Sequence, residues 1–157
     1  YKLIFSAHGL PEKNIKKGDP YQWQVEQSVN ELVKKLSINN LNYILSYQSR
    51  VGPLKWIGPS TETVIRDEAK KQKIIIVVPI AFVSEHSETL VELDIEYRKL
   101  AEDNGSKEYI RVPAVTANQD FINSLKSSIL QASSGERLTS SIRCPDKFKK
   151  CPRKENL

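Results

Sequence analysis

Short apolar runs alternate along the chain with longer segments in which apolar residues recur at helical spacing. This alternation predicts repeated strand–helix units and a parallel sheet. Four runs rich in β-branched and aromatic residues are predicted strands, at 3–6, 43–47, 73–78 and 109–112. The run at 73–78 is almost continuous Ile and Val, which is typical of a strand buried on both faces of a sheet.

Helices are predicted to follow these strands, over 22–36, over 60–71, from Ser84 or Ser87 onward, and over 119–130. We therefore predict an α/β fold, a flavodoxin-like, doubly wound, four-stranded parallel sheet with helices on both faces. The predicted domain spans residues 1–132. Residues 133–157 are polar and basic, and we expect them to form a flexible C-terminal tail.

Both histidines of the chain, His8 and His86, follow predicted strands. The carboxyl ends of parallel strands share one edge of a sheet, and ligands bind at that edge. We therefore expect both histidines to line one cleft. For His8 the alternative interpretation is a purely structural histidine that caps the end of the strand or is buried there.

Three acidic residues, Glu88, Glu92 and Glu96, recur every four residues after His86, which predicts an acidic stripe along one helix face. The apolar residues expected to line the opposite, buried face are Leu90, Leu93, Tyr97 and Leu100. Like charges at this spacing repel by about 0.2–0.5 kcal/mol per pair. A solvated face is one interpretation. The nearby imidazole favours a cation site, since mixed nitrogen and oxygen ligands suit Fe, Zn, Co or Mn.

Composition limits the alternatives. The chain has 157 residues, 39% hydrophobic and 27% charged, which fits one domain, and we expect no membrane span. Its net charge of +5 is concentrated after Arg137, without a nucleic-acid recognition motif, so we expect no nucleic-acid partner. It contains no Met and opens inside a predicted strand, so we expect a fragment of a longer protein. A non-catalytic, flavodoxin-like domain that binds an anionic ligand remains the alternative from another functional class.

The sequence resembles the ferrochelatase family, because four segments occur along the chain in the same order as in that family. They are Ser-Ala-His-Gly-Leu-Pro at 6–11, Gly-Asp-Pro-Tyr at 18–21, Gln-Ser-Arg-Val-Gly-Pro at 48–53, and the longer segment at 78–97. The resemblance implies the C-terminal half of an enzyme with two similar halves and a porphyrin cleft between them. Its partner would be the missing N-terminal half, so this half alone should be inactive or weak. The implied reaction inserts Fe²⁺ into protoporphyrin IX; another metal (Co or Zn) or coproporphyrin III remains an alternative.

The resemblance also implies roles for individual residues. The family's catalytic positions match His8, as proton acceptor, with His86 and Glu88. Its metal-handling positions match His8, Glu88, Glu92 and Glu96. Its porphyrin-binding positions match Tyr21, Arg50, Trp56 and Phe82, with the arginine suited to a propionate and the aromatic rings suited to a flat macrocycle. Core packing is the alternative role for Phe82, and Gln48 and Ser49 are expected to be structural.

Fe²⁺ is expected as a substrate rather than a resident cofactor. Some relatives hold a [2Fe–2S] cluster on four cysteines, but this chain has only Cys144 and Cys151, so we expect no cluster. A disulfide is not expected in a reducing compartment. The family works at a membrane surface, which implies a cytoplasmic protein in peripheral contact with the anionic inner membrane, on the matrix side in a eukaryote.

Overall fold

A single parallel sheet forms the centre of the molecule. The computed structural model describes residues 1–134 and 144–151. The strands are β1 (Lys2–His8), β2 (Tyr43–Gln48), β3 (Ile74–Pro79) and β4 (Glu108–Arg111). They lie in the order β2-β1-β3-β4, and every neighbouring pair is parallel. The predicted four-stranded parallel sheet is confirmed, and β1 is longer than predicted because it includes His8.

Helical segments follow each strand: α1 (Glu12–Lys16), α2 (Tyr21–Leu36), α3 (Thr61–Ala69), α4 (Ser87–Leu90), a π-helix (Glu92–Glu96), α5 (Tyr97–Asp103) and α6 (Gln119–Ser133). Alternate residues of β1 point to opposite faces. Ile4 packs with residues of α3 and α5, whereas Leu3 and Phe5 pack with Val29 of α2. Helices therefore cover both faces, as predicted. The short helix α1 is not among the predicted helices, because its five residues carry no apolar periodicity.

The order of the strands reverses at β1. The chain passes from β1 to β2 on one side, and then crosses to β3 on the other side of β1. Loops that leave such a switch point diverge and open a crevice at the carboxyl edge of the sheet. His8 ends β1 there, directly beside Gln48 at the end of β2. His86 lies in the segment that follows β3.

The helix predicted after Ser84 or Ser87 begins at Ser87 but is interrupted by the π-helix. The carbonyl of Val91 accepts N–H groups from both Ile95 and Glu96, 3.0 Å each, which marks the wider turn. The prediction for Leu90 is wrong, since its side chain is 48% exposed while Leu93 is fully buried. The wider turn rotates the residues on either side relative to one another.

Part of the predicted tail, residues 144–151, packs against the domain. The Phe148 ring is 7% exposed and lies 6.0 Å from the Trp23 ring in α2. The Lys150 N–H donates to the Gly18 carbonyl at 3.2 Å. Gly18 has φ of +90°, and a Cβ there would lie 3.0 Å from the Lys149 nitrogen. A residue without a side chain is therefore needed where this segment docks. The other residues of the predicted tail, 135–143 and 152–157, lie outside the described residues.

Candidate functional site

His8 and Glu88 meet at the switch point although 80 residues separate them. The His8 Nδ1 atom lies 2.7 Å from Glu88 Oε2, and the two side chains are 42% and 34% exposed. The Tyr21 hydroxyl donates to the His8 carbonyl at 2.9 Å. Burial, and then the charge of Glu88, raise the pKa of Tyr21, so its hydroxyl stays protonated near neutral pH. An imidazole and a carboxyl group, both partly exposed, therefore lie side by side.

His86 is the N-terminal cap of α4. Its Nδ1 accepts the Glu88 N–H at 3.2 Å, and its own N–H donates to the Thr89 hydroxyl at 3.0 Å. Because Nδ1 accepts, the proton of the neutral ring lies on Nε2. The ring also packs 5.3 Å from the Phe82 ring. His86 thus orients the turn that carries Glu88, while its ring contacts Phe82, another of the predicted site residues.

Glu92, the first residue of the π-helix, is engaged by groups from two other segments. Its Oε1 accepts the Ser49 N–H at 2.7 Å and the Tyr97 hydroxyl at 2.8 Å. Its Oε2 accepts the Gln48 side-chain amide at 3.0 Å and the Ser49 hydroxyl. Burial, and then the charge of Glu92, raise the pKa of Tyr97 and keep it a donor. Glu88 and Glu92, two of the three residues of the predicted acidic stripe, therefore contact different partners.

A buried chain of polar side chains fixes the orientation of Gln48. Ser6, Ser46, Gln48 and Thr61 are all fully buried. The Ser6 hydroxyl donates to Gln48 Oε1 at 2.7 Å, so Thr61, 2.8 Å from Ser6, must donate to Ser6 in turn. The Gln48 amide therefore points its Nε2 toward Glu92 of the π-helix and toward the Glu88 carbonyl of α4, to which it donates at 2.8 Å. A buried network in which the polar groups all have hydrogen-bond partners favours a single arrangement of its side chains.

Arg111, at the end of β4, ties together the loop before α4 and the π-helix. Its Nη1 donates to Glu85 Oε1 at 2.6 Å, and its Nε donates to Asp94 Oδ1 at 2.8 Å. The guanidinium is 10% exposed. Burial alone would raise the pKa of Glu85, but hydrogen bonds from Thr89, Arg111 and the Ala114 N–H lower it overall. The ion pairs therefore anchor both ends of the segment that presents Glu88.

A cavity of about 500 Å³ lies between α3, the π-helix and the loop after β2. Four predicted site residues line it: Arg50, Trp56, Glu92 and Glu96. The Trp56 indole N–H is buried and has no hydrogen-bond partner within the described part of the chain. The predicted site residues thus fall into two groups, the cavity and the His8–Glu88 pair, which Gln48 connects through its hydrogen bonds to Glu92 and to the Glu88 carbonyl.

Sequence reasoning treated Gln48 and Ser49 as structural and did not single out Arg111. One available signal was position, because Gln48 ends β2 beside His8 in a parallel register. Within residues 1–134 and 144–151, no group of three or more His, Cys, Asp or Glu side chains is placed to hold a metal ion. A cation at His8 and Glu88 would need further donors. No helix in the described ranges is long and apolar enough to cross a membrane.

Comparison with known proteins identifies the sequence neighbours of this chain. A model of the ferrochelatase family matches residues 1–133. The ferrochelatase of Pelagibacter ubique is 64% identical over 97% of this chain and 45% of that protein. Ferrochelatases of Rickettsia bellii and Rickettsia typhi are 51% and 48% identical over 96% of the chain and 44% and 46% of those proteins. The chain therefore spans less than half the length of these relatives.

Proposed function

The chain belongs to the ferrochelatase family, and from this premise we propose that it forms part of an enzyme that inserts Fe²⁺ into protoporphyrin IX. The observation that carries the proposal is the contact of His8 with Glu88, 2.7 Å at the carboxyl edge of the sheet. A free-base porphyrin loses two pyrrole protons as the metal enters, so a reachable base beside a carboxylate suits the reaction. The remainder of the protein would supply the facing wall of the cleft.

His8 accepts the two pyrrole protons one after the other in this proposal and releases each to solvent, which its 42% exposed side chain can reach. Glu88 stabilises the imidazolium that forms each time. The pair also offers one nitrogen and one oxygen ligand to Fe²⁺, a combination that suits this metal. Two ligands hold a metal weakly, and the four nitrogens of the porphyrin complete its coordination as it leaves the protein. Glu96, exposed at the cavity, extends the path by which iron arrives.

Aromatic and basic side chains suit the macrocycle. Phe82, Trp56 and Tyr21 offer ring surface, and the Phe82 ring packs 5.3 Å from the His86 ring. Arg50 suits a propionate, because a guanidinium matches a carboxylate geometrically. The two cysteines of this chain do not complete the four-ligand set of a [2Fe–2S] cluster. We also propose a cytoplasmic location with peripheral contact to anionic lipid through the basic C-terminal residues.

The test uses the protein at its natural length, with Fe²⁺ and protoporphyrin IX under anaerobic conditions and haem followed by absorbance. A lost general base costs about 10²–10⁴-fold, so His8→Ala should slow haem formation at least about 100-fold. The control is Lys99→Ala, on the exposed side of α5, which should retain the rate. Retention of the rate by His8→Ala would refute the assignment. Parallel assays with Co²⁺, Zn²⁺ and coproporphyrin III would show whether the preferred pair is a different one.

A further inference from the structure

The carboxylate of Glu92 is saturated with hydrogen bonds. A carboxylate offers about four lone-pair sites, and here four donors occupy them, two on each oxygen. Three of these donors belong to Gln48 and Ser49, at the end of β2, and the fourth is the Tyr97 hydroxyl. An arriving cation would have to displace at least one of them. Glu92 therefore differs from Glu88, whose carboxylate meets a single imidazole.

Glu92 holds Ser49 in an uncommon backbone conformation. Ser49 has φ of +59°, in the left-handed region that side-chain-bearing residues rarely adopt. Both its N–H and its hydroxyl donate to Glu92, one to each oxygen. Two hydrogen bonds from one residue to one carboxylate fix both the position and the rotation of that residue. The left-handed turn therefore depends on the charge and geometry of Glu92.

The backbone conformation of Ser49 sets the direction of the Arg50 side chain. A Cβ on Gly9 would lie 3.4 Å from Arg50 Cγ and 3.2 Å from Trp56 Cε3, so the stem of Arg50 runs beside the residue that follows His8. Arg50 also lines the cavity, together with Trp56. The described structure gives the Arg50 guanidinium no ion pair, in contrast to Arg66 and Arg111. A left-handed Ser49 thus presents to the cavity, which Glu96 also lines, a guanidinium that forms no ion pair within the described residues.

We propose that Glu92 is a positioning residue: it holds Ser49 left-handed so that Arg50 binds a carboxylate of the porphyrin, and it does not ligate iron. The proposal rests on the proposed function for its ligand. It assigns the acidic residues different roles, with Glu88 at the reacting atoms and Glu92 acting through Arg50. Ser49 and Tyr97, which the sequence did not place in the site, belong to the same hydrogen-bonded group as Glu92.

The test is a double-mutant cycle on porphyrin affinity, measured by absorbance titration of the natural-length protein without metal. Glu92→Gln, Ser49→Ala and Arg50→Ala should each weaken protoporphyrin binding about fivefold, as expected for a partly exposed charged contact. Glu92→Gln combined with Arg50→Ala should bind no more weakly than Arg50→Ala alone, because the two act in series. None of these variants should change the affinity for a porphyrin whose carboxylates are esterified.

Haem formation supplies the second readout. Glu92→Gln and Ser49→Ala should raise the KM for porphyrin and leave the KM for Fe²⁺ unchanged. Independent, additive losses in the cycle, or a raised KM for Fe²⁺ with unchanged porphyrin affinity, would overturn the proposal in favour of iron ligation by Glu92. If the unaltered protein binds porphyrin without forming haem, the proposed function fails while the cycle still decides the role of Glu92. An unaltered protein that does not bind porphyrin would overturn both.

Discussion

Replacement of Arg111 by methionine removes the guanidinium that joins β4 to both ends of the segment carrying Glu88. Methionine keeps the length and apolar stem of the side chain, so the change isolates the charge and its hydrogen bonds. Glu85 and Asp94, 24% and 27% exposed, would lose their cationic partner. The Ala114 N–H would still donate to Glu85. The substitution therefore leaves two partly buried carboxylates without the guanidinium that paired with them.

The expected loss of stability is about 3 kcal/mol. Breaking a buried ion pair by removing one partner costs about 3–5 kcal/mol, and the partial exposure of both acids places this case at the lower end. The matched control is Lys99→Met, which breaks an exposed pair with Asp103 four residues along α5. Exposed pairs of this kind contribute about 0.3–0.5 kcal/mol. The two substitutions therefore differ mainly in the burial of the charge that is removed.

Urea unfolding of both variants, followed by circular dichroism, measures the difference. Glu85 has a pKa below its ordinary value of 4.5 in the folded protein, so its contribution is present above that pH and is lost as the pH falls through the lowered pKa. The deficit of Arg111→Met should therefore shrink on acidification below pH 4.5. Adding Glu85→Gln and Asp94→Asn should restore part of the stability. An Arg111→Met deficit equal to that of Lys99→Met would refute the reasoning.

Two further substitutions test close packing near the site and in the docked segment. Gly9→Ala would place a methyl group 2.9 Å from the Gln48 carbonyl, so it should cost about 1–3 kcal/mol in urea unfolding; Gly58→Ala, whose nearest neighbour would be 3.8 Å away, should cost far less, and equal costs would contradict this. Phe148→Ala removes the ring that docks residues 144–151 on α2, so trypsin should cleave that segment several-fold faster, and an unchanged rate would show that other contacts hold it.

The fold could be predicted from the sequence because the information is local. Apolar runs at the four strands and helical spacing over α2 and α6 each lie within a short window. The expectation that His8 and His86 lie at one edge of the sheet also came from topology, since parallel strands place their carboxyl ends at one edge. The contact of His8 with Glu88 was not predicted, because it depends on the path of the chain after His86.

The rest of the site depends on contacts between distant segments. The left-handed Ser49 is stabilised by Glu92, 43 residues away, and nothing in its immediate neighbours requires that conformation. Arg111 pairs with acids 26 and 17 residues before it, and the sequence alone does not indicate which acids it pairs with. Leu90 was predicted to be buried because the spacing assumed an uninterrupted α-helix. At Ser49 and Arg111 a contact between distant segments decides the conformation, and at Leu90 the π-helix decides which residues are buried.

The π-helix limits how this segment can change in length. Tyr97 reaches Glu92 across five positions, through a hydrogen bond of 2.8 Å. In an ordinary α-helix, with about 100° per residue, positions five apart point about 140° away from each other. Deleting one residue between them would convert the wide turn into a regular one and shorten the spacing to four. Insertions and deletions, which surface loops usually tolerate, would here change the direction of every side chain on one side of the turn relative to the other.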